Sequence, residues 1–238
     1  MATGKAAKAP RNQIAATRGA GMVVIKVLGA GNMVTAPTLT EFLDQQRASG
    51  FRRFIFDMQE CRGLDSTFMG CMVGLCTALQ RENPPLPAIG PGLPDDVLTA
   101  LCGSGQAKGS PPPDEFEALE AVPMSKEEAL TALKKSLNKS EESSGQPNHF
   151  DGFVIAVNVS VECSEVLNIL GVDKFVRMRG RLDLASLETA VLPEKATTPE
   201  QRRMLILRAH ENLIEIDKRN EAQFGAFLKS LSEELSKK

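Results

Sequence analysis

Apolar and polar positions along the chain fall into two rhythms, strand-like runs and stretches of helical spacing. Met22 to Leu28 (Met-Val-Val-Ile-Lys-Val-Leu) is nearly all apolar and rich in β-branched residues, the pattern of a strand covered on both faces. Gly29, Gly31 and Asn32 break it. Thr35 or Ala36 then opens a helix with Pro37 in its first turn, where the missing N–H costs nothing. Leu39, Phe42, Leu43 and Gln46 recur at helical spacing, and Ser49-Gly50 is the stop. Arg53 to Met58 predicts a second buried strand, and after a short turn a helix begins at Asp65-Ser66.

Along that helix Met69, Met72, Val73, Cys76 and Leu79 make a core-facing stripe. Phe68, Cys71, Leu75 and Ala78 make a second stripe on another face. A helix apolar on more than one side needs a second cover, from elsewhere in the chain or from a partner.

Composition shifts after Glu82. Pro84, Pro85, Pro87, Pro91 and Pro94, then Pro111 to Pro113, then Ser/Glu-rich text predict a flexible insertion over 83–146. Within it, Ser125 to Glu128 matches a capping box, and Ala129, Leu130, Leu133 and Leu137 give a short amphipathic helix, marginal unless it docks on the body or on a partner. Phe153 to Val157 returns to a strand pattern. Ser160 caps a helix with Cys163, Val166, Leu167 and Leu170 inward and Gly171 as its stop. Lys174 to Met178 predicts a short strand, and Leu182 to Val191 an amphipathic helix ended by Pro193. From Pro199 to Leu235 runs one long helical pattern with Gly225 as its bend. It allows either a homodimer through the C-terminal helix or two segments folding back on the body.

Strands alternating with helices predict an α/β fold, a mixed sheet of about four or five strands with helices packed on it. Residues 1–21 carry Lys5, Lys8, Arg11 and Arg18 without an acidic side chain and read as a flexible basic tail, with a weak strand signal at Gln13 to Ala16. The domain then covers 22–192, interrupted at 83–146, and a helical extension covers 193–238.

Composition narrows the function. A net charge of -2 and the absence of Tyr and Trp argue against nucleic acid as a partner. The longest uncharged run, Ser66 to Gln80, is shorter than the roughly 20 apolar residues a bilayer requires. With no apolar leader pattern at the N-terminus, the expectation is a cytoplasmic protein without membrane insertion. Cys61, Cys71, Cys76, Cys102 and Cys163 form no C-x-x-C pair, so reduced core thiols are expected rather than a metal site or disulfide framework. Gly29-Ala30-Gly31 stops short of a dinucleotide fingerprint because Val34 stands where the third glycine belongs, and no cofactor is expected. His149 and His210 are the two imidazoles, no G-x-S-x-G elbow is present, and the chain reads as a non-enzyme.

Leu64-Asp65-Ser66-Thr67-Phe68-Met69-Gly70 resembles the signature of STAS domains, the fold of bacterial anti-anti-sigma factors, which read Asp-Ser-Ser/Thr-Gly-Leu-Gly after a strand. The flanks are similar too: Gly29 leading through Thr35-Ala36 to Leu39, and Val159-Ser160 opening a helix that closes at Leu170-Gly171-Val172-Asp173-Lys174-Phe175. The resemblance covers Met22 to Glu82 and Gly152 to Val191. It implies a non-catalytic regulatory protein–protein interaction module acting on transcription, an anti-sigma factor antagonist. Its partner would be an anti-sigma factor that is also a serine kinase. Phosphorylation at Ser66, with Thr67 the second candidate, would switch binding off, and Asp65, Ser66, Thr67, Phe68, Cys71 and Leu75 would form the partner-binding surface. The alternative on the same fold is a constitutive structural subunit of a signalling or transport complex. Phe68 departs from the family's glycine, and the insertion and the C-terminal extension are outside its pattern.

Physics allows such a switch. A phosphate adds about −1.5 to −2 charges, and a helix N-terminus tolerates an anion. The competing reading is that Asp65 and Ser66 are helix caps only, worth about 1 kcal/mol. A further option is that the C-terminal helix covers the second stripe in cis.

Overall fold

Side chains alternate across β2 (Met22–Gly31): Val23, Ile25 and Val27 enter one apolar cluster and Met22 and Val24 another, all fully buried. The same division holds in β3 (Arg53–Asp57) and in β5 (Val154–Val157). Phe54 and Phe56 oppose Ile55, and Val154 and Ala156 oppose Ile155 and Val157. These strands run parallel in the order β5-β3-β2, which is why their sequences read as unbroken apolar runs. The computed structural model describes residues 12–82 and 154–236, with Glu127, Glu128, Leu130, Thr131 and Lys134 between them.

The sheet has seven strands against the expected four or five. β1 (Gln13–Gly19) pairs antiparallel with β2 through a two-residue turn in which Ala20 and Gly21 have φ of 48° and 76°, the primed geometry that fits strand twist. This strand corrects the flexible tail expected over 1–21. Ala15 and Ala16 carry little apolar signal, yet both are buried. Residues 1–11 lie outside the described residues. β4 (Cys61–Leu64) pairs with the end of β2 after the register shifts at Gly29–Ala30. β6 (Arg177–Met178) and β7 (Ala190–Val191) finish a seven-stranded sheet of order β6-β5-β3-β2-β1-β7, with β4 branching from β2.

One sheet face carries α1 (Ala36–Ala48), α2 (Ser66–Glu82), α3 (Val161–Ile169) and the pair α4 (Pro199–Ile216) and α5 (Arg219–Ser236). The other face is covered by Leu130, Leu184 and Leu187. Leu130 is fully buried there, so the short helix predicted from Ser125 docks on the body at this position; the remainder of the 83–146 insertion lies outside the described residues. Among the described residues no helix is long and apolar enough to cross a membrane.

Two helical expectations change. Leu182 to Val191 is not a helix. Asn158 clamps Leu182 at both its N–H and its carbonyl, the Lys26 ammonium donates to the carbonyls of Leu184 and Leu187 at 2.9 and 3.4 Å, and Asp183 caps Ala185. Helical i to i+4 bonds from those carbonyls are pre-empted, while Leu184 and Leu187 still reach the core. The C-terminal pattern breaks at Asp217 (φ −147°, ψ 112°), not at Gly225, which sits inside α5. The Asp217 carboxylate accepts from the Arg219 amide and guanidinium, and the buried Asn220 amide donates to the carbonyls of Leu170 and Leu213. These bonds satisfy helix ends that would otherwise be orphaned. The short strand expected from Lys174 begins only at Arg177, after a 3-10 turn over Val172–Lys174.

Candidate functional site

A single residue, Asp65, turns the chain from β4 into α2. Its N–H donates to the Gly31 carbonyl, which anchors it to the end of β2. One carboxylate oxygen accepts from the Phe68 N–H at 2.8 Å, the cap of α2, and the other from the Met33 N–H at 2.7 Å in the β2–α1 loop. Asp65 is therefore the cap. Ser66 is not.

The Ser66 hydroxyl lies 2.8 Å from His210 Nε2 on α4, 144 residues away in sequence. On the other side of that ring, Nδ1 lies 2.8 Å from the Ile206 carbonyl one turn back. A carbonyl can only accept, so Nδ1 carries a proton, and in the neutral ring Nε2 is the acceptor to which Ser66 donates. Phe224 and Phe227 meet the imidazole edge-on, with centroids 4.7 and 5.6 Å away. His210 is buried while Ser66 is half-buried.

α4 reaches Ser66 because α2 presents Gly70 and Gly74 at the next two turns. The Ala209 backbone lies against Gly70, the Asn212 amide against Gly74, and Asn212 also donates to the Gly70 carbonyl at 3.0 Å. A Cβ on Gly70 would occupy the space of the Ala209 carbonyl.

The expected surface residues thus divide. Asp65 and Ser66 are half-buried at the rim, whereas Thr67, Phe68, Cys71 and Leu75 are buried, which corrects their reading as an open docking surface. The second stripe has its cover from within the chain: Phe68 packs beside Gly31 and Leu64, and Cys71 and Leu75 line a groove of about 590 Å³ between α1, α2 and α4. Exposed apolar side chains belong instead to segments bonded to or packed on the neighbours of Ser66. Met33 (39% exposed) and Val34 (52%) lie on the loop tied to Asp65, and Phe227 (48%) lies against His210.

No protein-family model and no curated protein matches this chain.

Sequence reasoning missed His210, which looked remote from Ser66, and it missed Phe227. The available signal was Ser66-Gly70-Gly74, small residues four apart that mark a close helix approach. It also missed a thiol pair: the Cys61 and Cys163 sulfurs lie 3.9 Å apart, joining β4 to the start of α3. The contact between the two sulfurs holds one thiol of the pair below the ordinary thiol range, Cys163 with the Ser160 hydroxyl assisting, and raises the other, Cys61. Burial pushes Cys71 to about 11 and Cys76 to about 12, which leaves both inert. Among the described residues no group of three His, Cys, Asp or Glu side chains could hold a metal ion.

Proposed function

We propose that the chain is a non-catalytic regulatory interaction module of the STAS, anti-anti-sigma type. It docks a protein partner of the anti-sigma factor and serine-kinase class, and phosphorylation of Ser66 switches it off. One observation carries the reading. The Ser66 hydroxyl is spared from capping its own helix and is held half-buried against the His210 ring, in a neighbourhood that also carries exposed apolar side chains: Met33 and Val34 on the loop bonded to Asp65, and Phe227, which meets the His210 ring. Apolar contacts of this kind give a partner area to bury, and a phosphate in the same neighbourhood leaves a charge unpaired in the complex. Such a charge costs about 2–4 kcal/mol, roughly 30- to 1000-fold in affinity.

Burial of Thr67 favours Ser66 over Thr67 as the site a kinase would reach. The alternative, a constitutive structural subunit on the same fold, differs in carrying no phosphate on Ser66 and in staying in one fixed complex. A cytoplasmic location accords with a partner of this class.

The test is phosphosite mapping of the protein isolated from its own cells, together with partner capture by Ser66→Asp and Phe227→Ala variants. Phosphate is expected on Ser66. The Asp variant should lose an anti-sigma or kinase-type partner that the native protein retains, with a thermal midpoint nearly unchanged. Equal capture by the Asp variant and the native protein ends the proposal.

A further inference from the structure

We infer that His210 is the proton acceptor that makes Ser66 a reactive phosphate acceptor, so that the chain itself supplies the base for modification of that hydroxyl. The inference rests on the phosphoswitch reading of Ser66 and adds the residue that would make the modification fast.

A serine hydroxyl is a weak nucleophile until an adjacent base takes its proton, and the arrangement that does so has the base oriented by a third group. All three parts are present. Ser66 Oγ is 2.8 Å from Nε2, and the Ile206 carbonyl at 2.8 Å fixes the proton on Nδ1, which aims the Nε2 lone pair at Ser66. Phe224 and Phe227 both meet the ring edge to face, and the imidazole is 5% exposed, which limits competition from water for that lone pair. Asp65 completes the case. A serine in the first turn of a helix commonly directs its oxygen to backbone amides, but here the Phe68 amide is taken by Asp65, leaving Ser66 for the imidazole.

In the step itself Ser66 Oγ attacks the γ-phosphorus of a nucleoside triphosphate carried by the kinase partner. The Oγ–P bond forms and the bond from phosphorus to the bridging oxygen breaks. The nucleoside diphosphate leaves with that electron pair, and the serine proton passes to His210 Nε2. The imidazolium, its Nδ1–H still held by Ile206, then faces the new phosphate. The event is a single modification, not turnover.

The isolated chain can be tested without its partner, using a fluorophosphonate probe. Oγ–P forms, P–F breaks, fluoride leaves, and the proton again goes to His210. The expected result is one adduct, mapped to Ser66, absent in Ser66→Ala. In His210→Gln the adduct should form about 100-fold or more slowly, and added imidazole should restore labelling to His210→Ala. Ser66→Cys keeps His210 in place should the His210 variants fail to fold. The introduced thiol should then titrate well below the ordinary value of about 8.5, read from thiolate absorbance. No Ser66 adduct on the native chain, labelling of His210→Gln at the native rate, or an ordinary titration of the introduced thiol overturns the inference. Equal partner capture by Ser66→Asp and the native protein, with adduct formation intact, would instead remove the docking reading and leave the role of His210 standing.

Discussion

A methyl group on Gly70 has nowhere to go, because the Ala209 carbonyl fills that space and is backbone rather than a movable side chain. Gly70→Ala should force α4 off α2 and cost about 1–3 kcal/mol, the usual range for overpacking. Gly74→Ala meets only the amide end of Asn212, which can swing away, so it should cost less. Thermal melts of the two variants give the comparison, and a Gly70→Ala midpoint equal to the native one would contradict the close approach. At this scale the sequence was legible where one residue type has one use. Pro37 sits in the first turn of α1, Ser160 caps α3 through the Cys163 amide, and Gly171 follows α3 with φ 71°. It was not legible where a residue's role depends on a distant neighbour. Nothing near His210 in the sequence says that its ring faces Ser66, or that Cys163 faces Cys61.

Elements were legible in proportion to how much of their stability is local. The apolar runs of β2, β3 and β5 and the stripes of α1 and α2 declared themselves because burial on both faces leaves no other reading. β1 did not, because its alanines are strand-forming only beside β2. Leu182 to Val191 misled for the opposite reason: Leu184 and Leu187 lie at helical spacing, but Lys26 and Asn158 hold the backbone in turns. The break between α4 and α5 depends on charge, and it carries a pH prediction. Hydrogen bonds from Arg219, with Lys174 nearby, hold the Asp217 carboxyl well below the usual carboxylate range. A pKa depressed by folding contributes stability that is complete above the unfolded value of about 3.9 and is lost as pH falls below it. Urea midpoints of native protein and Asp217→Asn should therefore differ at pH 6 and draw together towards pH 3. A gap that stays constant would show that Arg219 does not act through the Asp217 charge.

For the whole molecule the question is whether the α4–α5 pair can leave. Leu213, Phe224 and Leu228 are buried in the main core, and each such side chain contributes about 1.5–3 kcal/mol. Releasing all three costs roughly 5–9 kcal/mol, whereas one lost hydrogen bond at Ser66 is worth about 1 kcal/mol. On the proposed reading, a phosphate on Ser66 would therefore act on the surface offered to a partner and would leave the helices in place. The same burial makes the α4–α5 pair part of the core within one chain. Truncation after Pro193 should accordingly yield aggregation and a lost cooperative transition, seen by light scattering and calorimetry. A soluble truncated protein with stronger partner binding would restore the idea of a removable lid.

The distance along the chain between Ser66 and His210 also has a meaning in time. A ribosome adding 5–20 residues per second needs roughly 7–30 s to cover the 144 residues that separate them. During that interval the serine has been made and its imidazole has not. A chain stopped before α4 would carry the hydroxyl without its base, so that reactivity at Ser66 would report that α4 has been made and has docked on α2.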